Sequence, residues 1–141
     1  MARVEPLTES AQWQAIGRSP GRTIVFKHSS TCPISAAAHD RFLAWVDAGG
    51  AGDVPVYEVL VIEDRPLSQA IAAETGVEHQ SPQALLLEDG RALWHASHWA
   101  ITKETLDAAL HDPARTASHS TTLVQAQAEH KAQLAAMEAG A

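Results

Sequence analysis

The chain has 141 residues, 45% of them hydrophobic and 19% charged. That is the size and balance of one folded domain, too apolar for a disordered chain and long enough to build a core without metals or disulfides. The formal net charge of -7 sets the surface against phosphate backbones and anionic membranes, so neither nucleic acid nor membrane is an expected partner. Residues 1–9 are polar and mixed in charge, and no run approaches the roughly 20 apolar residues of a membrane span, which makes the cytoplasm the expected location.

In chain order, Thr8 is expected to cap a first helix that carries Trp13 and Ile16 on one side and stops at Gly17 and Pro20. Residues 23–28, Thr-Ile-Val-Phe-Lys-His, read as a buried strand bounded by Gly21 and by Ser29-Ser30. From Pro33, the apolar residues Ile34, Ala38, Phe42 and Trp45 recur at helical spacing until Gly49-Gly50. The nearly continuous apolar run at 55–62 predicts a central strand covered on both faces. Pro66 suits the first position of a third helix, with Leu67, Ala70 and Ile71 inward and Gly76 as its stop.

Residues 83–88 and 91–96 flank Asp89-Gly90, a pair that favours a type I′ turn, and so predict an antiparallel hairpin. Thr102 is expected to cap a last helix, with Ile101 and Leu106 as its hydrophobic staple and Pro113 as its end. The order α-β-α-β-α-β-β-α, under the right-handed crossover rule, is the plan of a thioredoxin-like α/β fold: a central four-stranded mixed sheet with flanking helices over residues 1–113. Residues 114–141 shift to Ala, Gln, Ser and Thr and read as a C-terminal extension, peripheral and part helical, with a further helix expected at 121–137.

Cys32 is the only cysteine, so no intramolecular disulfide can form and any redox chemistry needs an outside thiol. Thr31-Cys32-Pro33-Ile34-Ser35 places the sulfur where a strand gives way to a helix, beside free backbone N–H groups and the positive end of the helix dipole, both of which stabilise a thiolate. Pro33 costs nothing there, because its missing N–H would go unpaired anyway. Ser35 stands where a dithiol site has its resolving cysteine; its hydroxyl can donate to the sulfur but cannot form a disulfide. The alternative for Cys32 is a small buried hydrophobe. Ser81-Pro82, just before the third strand, is expected to carry a cis bond that presents backbone to a thiol substrate.

Three separated blocks, residues 26–35 (Phe-Lys-His-Ser-Ser-Thr-Cys-Pro-Ile-Ser), 61–67 (Val-Ile-Glu-Asp-Arg-Pro-Leu) and 81–99 (from Ser81-Pro82 through Trp94-His-Ala-Ser-His-Trp99), resemble monothiol bacilliredoxins of the YtxJ type over roughly residues 8–110. The resemblance implies an enzyme that removes bacillithiol from client proteins carrying it as a mixed disulfide. Cys32 would be the nucleophile, Ser35 its catalytic neighbour and bacillithiol a co-substrate, with no permanently bound cofactor. Glutaredoxins usually carry a Gly-Gly pair after the hairpin where this chain has residues 94–99, which argues against glutathione as the partner. Since bacillithiol carries a malate carboxylate and a sugar, Lys27, His28 and Arg65 are candidate contacts, with Thr31, Pro33, Ser81 and Pro82 bordering the site.

Other residues carry competing readings. Lys27 alternates with Phe26 and His28 and is equally expected to snorkel from a sheet edge; His28 is placed to tune the thiolate if it faces Cys32. His95, His98 and His28 lack the companions a zinc site needs, and no metal is expected. Trp94 and Trp99 read as packing groups in preference to a sugar-stacking platform. Two rival functions stay open: a glutaredoxin-like module holding an iron-sulfur cluster between two chains, and a redox-sensing interaction protein without turnover.

Overall fold

The computed structural model describes residues 3–119. Its elements run β1 (Val4–Pro6), α1 (Ser10–Arg18), β2 (Arg22–His28), α2 (Pro33–Asp47), β3 (Val56–Leu60), α3 (Arg65–Thr75), β4 (Gln83–Glu88), β5 (Arg91–Ser97), a 3-10 turn (His98–Ala100) and α4 (Lys103–His111). The sheet order is β1-β3-β2-β4-β5, with β1, β3 and β2 parallel and β4 antiparallel to both β2 and β5. The expected α/β class holds, but the sheet has five strands where four were expected. β1 escapes a hydrophobic reading because it is three residues long and contributes Glu5 and Pro6. It is held by backbone pairing to β3, continued by Leu7 N–H donating to Glu58 O at 2.8 Å.

Side-chain alternation builds two cores. Ile24 and Phe26 on β2, Ala84 and Leu86 on β4, and Trp94 and Ala96 on β5 face α2 and α4, whose Ala38, Phe42, Trp45, Leu106 and Ala109 cover them. Val25, Val59, Leu85 and Leu87 face the other way, under Trp13, Ile16, Leu67 and Ile71 of α1 and α3. Both faces of β2 and β4 are therefore buried over most of their length, whereas Tyr57, Glu58 and Leu60 of β3 are half-buried.

Helix ends follow the sequence closely. Thr102 Oγ1 accepts from Thr105 N–H at 3.1 Å, and Ile101 and Leu106 are buried together beneath that cap. Gly76 closes α3 in the left-handed conformation, and Asp89 and Gly90 both have positive φ (53° and 80°), as a type I′ turn needs. Two starts move by one residue. Glu9, not Thr8, is the N-cap of α1, because Gln12 Oε1 draws in the N–H groups of both Thr8 (2.9 Å) and Glu9 (3.0 Å). α3 begins at Arg65 with Asp64 as N-cap, leaving Pro66 second. The helix expected at 121–137 lies outside the described residues; of the extension, residues 117–119 lie along β5, with Ser97 N–H donating to His119 O and His119 N–H to His95 O.

Candidate active site

β2 ends at His28, and the chain turns through Ser29, Ser30 and Thr31 before Pro33 opens α2. Cys32 is the N-cap of that helix, partly exposed, in extended conformation (φ -104°, ψ 122°), and its side chain makes no capping hydrogen bond. Its carbonyl already accepts from Ala36 N–H at 2.9 Å, and Cys32 N–H donates to Ser29 O at 3.3 Å, so the backbone is fixed while the sulfur stands at the end of a 15-residue helix. The macrodipole and the unpaired N–H groups of the first turn favour negative charge at that position.

Ser35, the third residue of α2, is fully buried. Its hydroxyl accepts Ser29 N–H at 2.9 Å and lies 2.8 Å from His28 Nδ1. His28, on the α2 face of β2, stacks on His39 of α2 with ring centroids 4.1 Å apart and planes only 6° from parallel. His39 Nε2 in turn lies against the Glu58 carboxylate on β3. Burial, and next His39, lower the His28 pKa, while Glu58, Glu63 and Asp40 pull it upward.

The remaining sequence candidates divide. Ser81-Pro82 has the expected cis bond and leads into β4, whose start lies beside the end of β2; Pro82 O accepts His98 N–H at 3.1 Å. Thr31, Pro33 and Arg65 are exposed, and Ser30 Oγ reaches Glu63 at 3.4 Å, tying the Cys32 loop to the turn before α3. Lys27 corrects the sequence reading. It neither snorkels from an edge nor stands beside Cys32, because β2 is flanked by β3 and β4 and alternation sends Lys27 to the α3 face. There it is wholly buried, its Nζ donating to Ser68 O (3.1 Å) and lying 3.1 Å from His79 Nδ1. Desolvation lowers its pKa to about 8. Trp94 is a core residue, and Trp99 lies under the Arg41 guanidinium, 5.2 Å from the ring centre.

Sequence reasoning missed His39 and Glu58. They come from different elements and meet His28 only across the sheet and helix, so no local spacing announces them. Among the described residues no group of three or more His, Cys, Asp or Glu side chains is placed to hold a metal.

The fold and the site together define a thioredoxin-fold protein with a single helix-capping cysteine and a serine where a second would stand. A family model, monothiol bacilliredoxin BrxC, matches residues 5–106. The chain belongs to that family. Among solved structures it is similar to a putative oxidoreductase with a thioredoxin fold, at 31% identity, covering 79% of this chain and 94% of that one with a TM-score of 0.66. Similarity of fold extends to the thioredoxin Mala s 13 of Malassezia sympodialis (17% identity, 79% and 90% covered, TM-score 0.63). It extends also to mitochondrial thioredoxin 3 of Saccharomyces cerevisiae (16%, 77% and 94%, 0.60).

Proposed function

We propose that this chain is a monothiol thiol-disulfide oxidoreductase that removes bacillithiol from protein mixed disulfides in the cytoplasm. The observation that carries the reading is Cys32 itself: a lone cysteine, partly exposed, at the N-cap of α2, in a chain of the monothiol bacilliredoxin family. The Cys32 thiolate attacks the bacillithiol sulfur of the client's mixed disulfide. The S–S bond breaks, a new one forms between Cys32 and bacillithiol, and the client cysteine leaves as a thiolate that takes up a proton. A second low-molecular-weight thiol then attacks the bacillithiol sulfur and restores Cys32, so no second protein cysteine is needed.

Arg65, exposed at the start of α3, supplies a guanidinium for the malate carboxylate, and Thr31, Pro33, Ser81 and Pro82 border the substrate. His28 serves the site through Ser35. Bacillithiol is a co-substrate in this scheme, and no resident cofactor takes part.

The test is intact-mass analysis after mixing reduced protein with a model client carrying bacillithiol, beside the same client carrying glutathione. Bacillithiol should move to Cys32 with release of the client thiol, faster than glutathione does, and Cys32→Ser should abolish the transfer. Turnover by Cys32→Ser equal to that of the unaltered chain, or no transfer from either client, would overturn the reading.

A further inference from the structure

Glu58, His39, His28 and Ser35 come from β3, α2, the end of β2 and the first turn of α2, and they form one continuous line of contacts that ends at Ser35, three residues past the N-cap Cys32. His39 Nε2 lies against the Glu58 carboxylate, the two imidazoles are stacked in parallel, and His28 Nδ1 is 2.8 Å from Ser35 Oγ. Ser35 is the third residue of α2 and Cys32 its N-cap, so both side chains leave the same first turn; the Cys32 side chain makes no capping hydrogen bond in this structure, and the relay engages when a Cys32 rotamer turns toward the Ser35 hydroxyl.

We propose that His28, held by His39 and Glu58, is the positioning residue that takes the Cys32 proton through the Ser35 hydroxyl. The inference deepens the thiol-exchange reading and rests on it for its purpose, though not for its test. A hydroxyl offers one hydrogen and two lone pairs. One lone pair of Ser35 Oγ is committed to Ser29 N–H at 2.9 Å.

With the thiol protonated, Cys32 S–H donates to the second lone pair and Ser35 O–H donates to His28 Nδ1. When the S–H bond breaks, that proton passes to Ser35 Oγ, and Ser35's own proton passes to His28 Nδ1. Now Nδ1–H donates to Oγ, and the hydroxyl hydrogen points at the thiolate. Every donor and acceptor is satisfied before and after, and the sum is one S–H bond lost and one N–H bond gained.

The groups facing His28 suit both states. His39 and burial keep it neutral and able to accept, while Glu58, Glu63 and Asp40 favour the proton once it arrives. After exchange the same route returns a proton toward the departing thiolate.

The test is the rate of Cys32 alkylation by iodoacetamide against pH, in the full chain. It reads the thiol's proton affinity with no disulfide substrate present, so it can fail or succeed independently of bacillithiol transfer. His28→Asn, which keeps a hydrogen-bonding atom near Ser35 without accepting a proton, and Ser35→Ala should each raise the midpoint by about one pH unit or more, slowing alkylation about tenfold near neutrality. Glu58→Gln should move it less in the same direction, and the His28→Asn, Ser35→Ala double variant no further than the larger single.

An unmoved midpoint in His28→Asn, or additive shifts in the double variant, would overturn the relay. A second reading leaves His28, Ser35 and Glu58 in place: the His28 ring, followed by NMR, should take up its proton at lower pH in Cys32→Ala than in the native chain. An unchanged His28 titration there would likewise overturn it.

Discussion

Lys27 carries an ammonium group into a central strand, where neither neighbouring strand leaves it a path to water. Its Nζ keeps one carbonyl and one imidazole as partners, and its pKa falls from the ordinary 10.5 to about 8. The folded state therefore releases this proton before the unfolded chain does. Between about pH 8 and 10.5 the unfolded chain binds more protons, so Lys27 adds stability as pH rises, up to roughly 3 kcal/mol across the full window. Urea unfolding at several pH values should show the native chain gaining on Lys27→Met over that range. A constant difference between the two would show that the buried charge costs nothing. The residue was legible in sequence as a strand lysine but not as a buried one. Alternation puts it on the face opposite His28, and it takes the strand order to show that this face is also closed. Cys32 was readable in its local setting, because a strand followed by Cys-Pro fixes the helix start at that point; His39 and Glu58 were not, since only tertiary contact joins them to it.

At the scale of elements, two glycines share one contact and should respond oppositely to the same substitution. Gly17 lies in α1, and a methyl group there would meet nothing within 4 Å. Gly17→Ala should stabilise the fold by about 0.5–1 kcal/mol, because alanine loses less backbone freedom in a helix. Gly90, in the β4-β5 turn, has φ of +80°, and a methyl group there would come within 2.8 Å of Gly17 O and 3.0 Å of its Cα. Gly90→Ala should cost at least about 1 kcal/mol, from left-handed strain together with displacement of the turn. Thermal unfolding of the two variants checks the sign, and a destabilised Gly17→Ala would mean that α1 depends on the glycine in a way its open surroundings do not show. Hairpin and turn were legible because Asp-Gly between apolar runs is a local code. The packing of that turn against α1 was not, because it joins residues more than 70 positions apart. The one-residue shift at the start of α1 has the same character, since it depends on where Gln12 bends back.

For the whole molecule, the question is how the two outer edges of the sheet are covered. β1 is short and carries Glu5 and Pro6, features that discourage pairing with another chain. β5 is seven residues long, with Trp94, Ala96 and Ser97 buried, and its outer edge is occupied by residues 117–119 of the same chain. Ser97 N–H donates to His119 O at 2.7 Å, His119 N–H to His95 O at 2.8 Å, and the buried Trp94 indole N–H to Ala117 O at 3.0 Å. The covering of β5 was not legible in the sequence, where the composition shift after Pro113 marks the start of an extension but not where it packs, and a bridge made by backbone atoms leaves no residue pattern to read. A chain ending at Pro113 would leave the Trp94 N–H without that acceptor and the edge of β5 open. Its stability to urea should fall by about 1–3 kcal/mol, and it should self-associate at concentrations where the longer chain does not. Trp94→Phe in the full chain separates the two effects: it removes the indole bond but leaves the edge covered, so it should lose part of the stability and none of the solubility. Equal self-association by both variants would mean that edge coverage by 117–119 is not what keeps β5 from pairing, since only the shortened chain uncovers that edge.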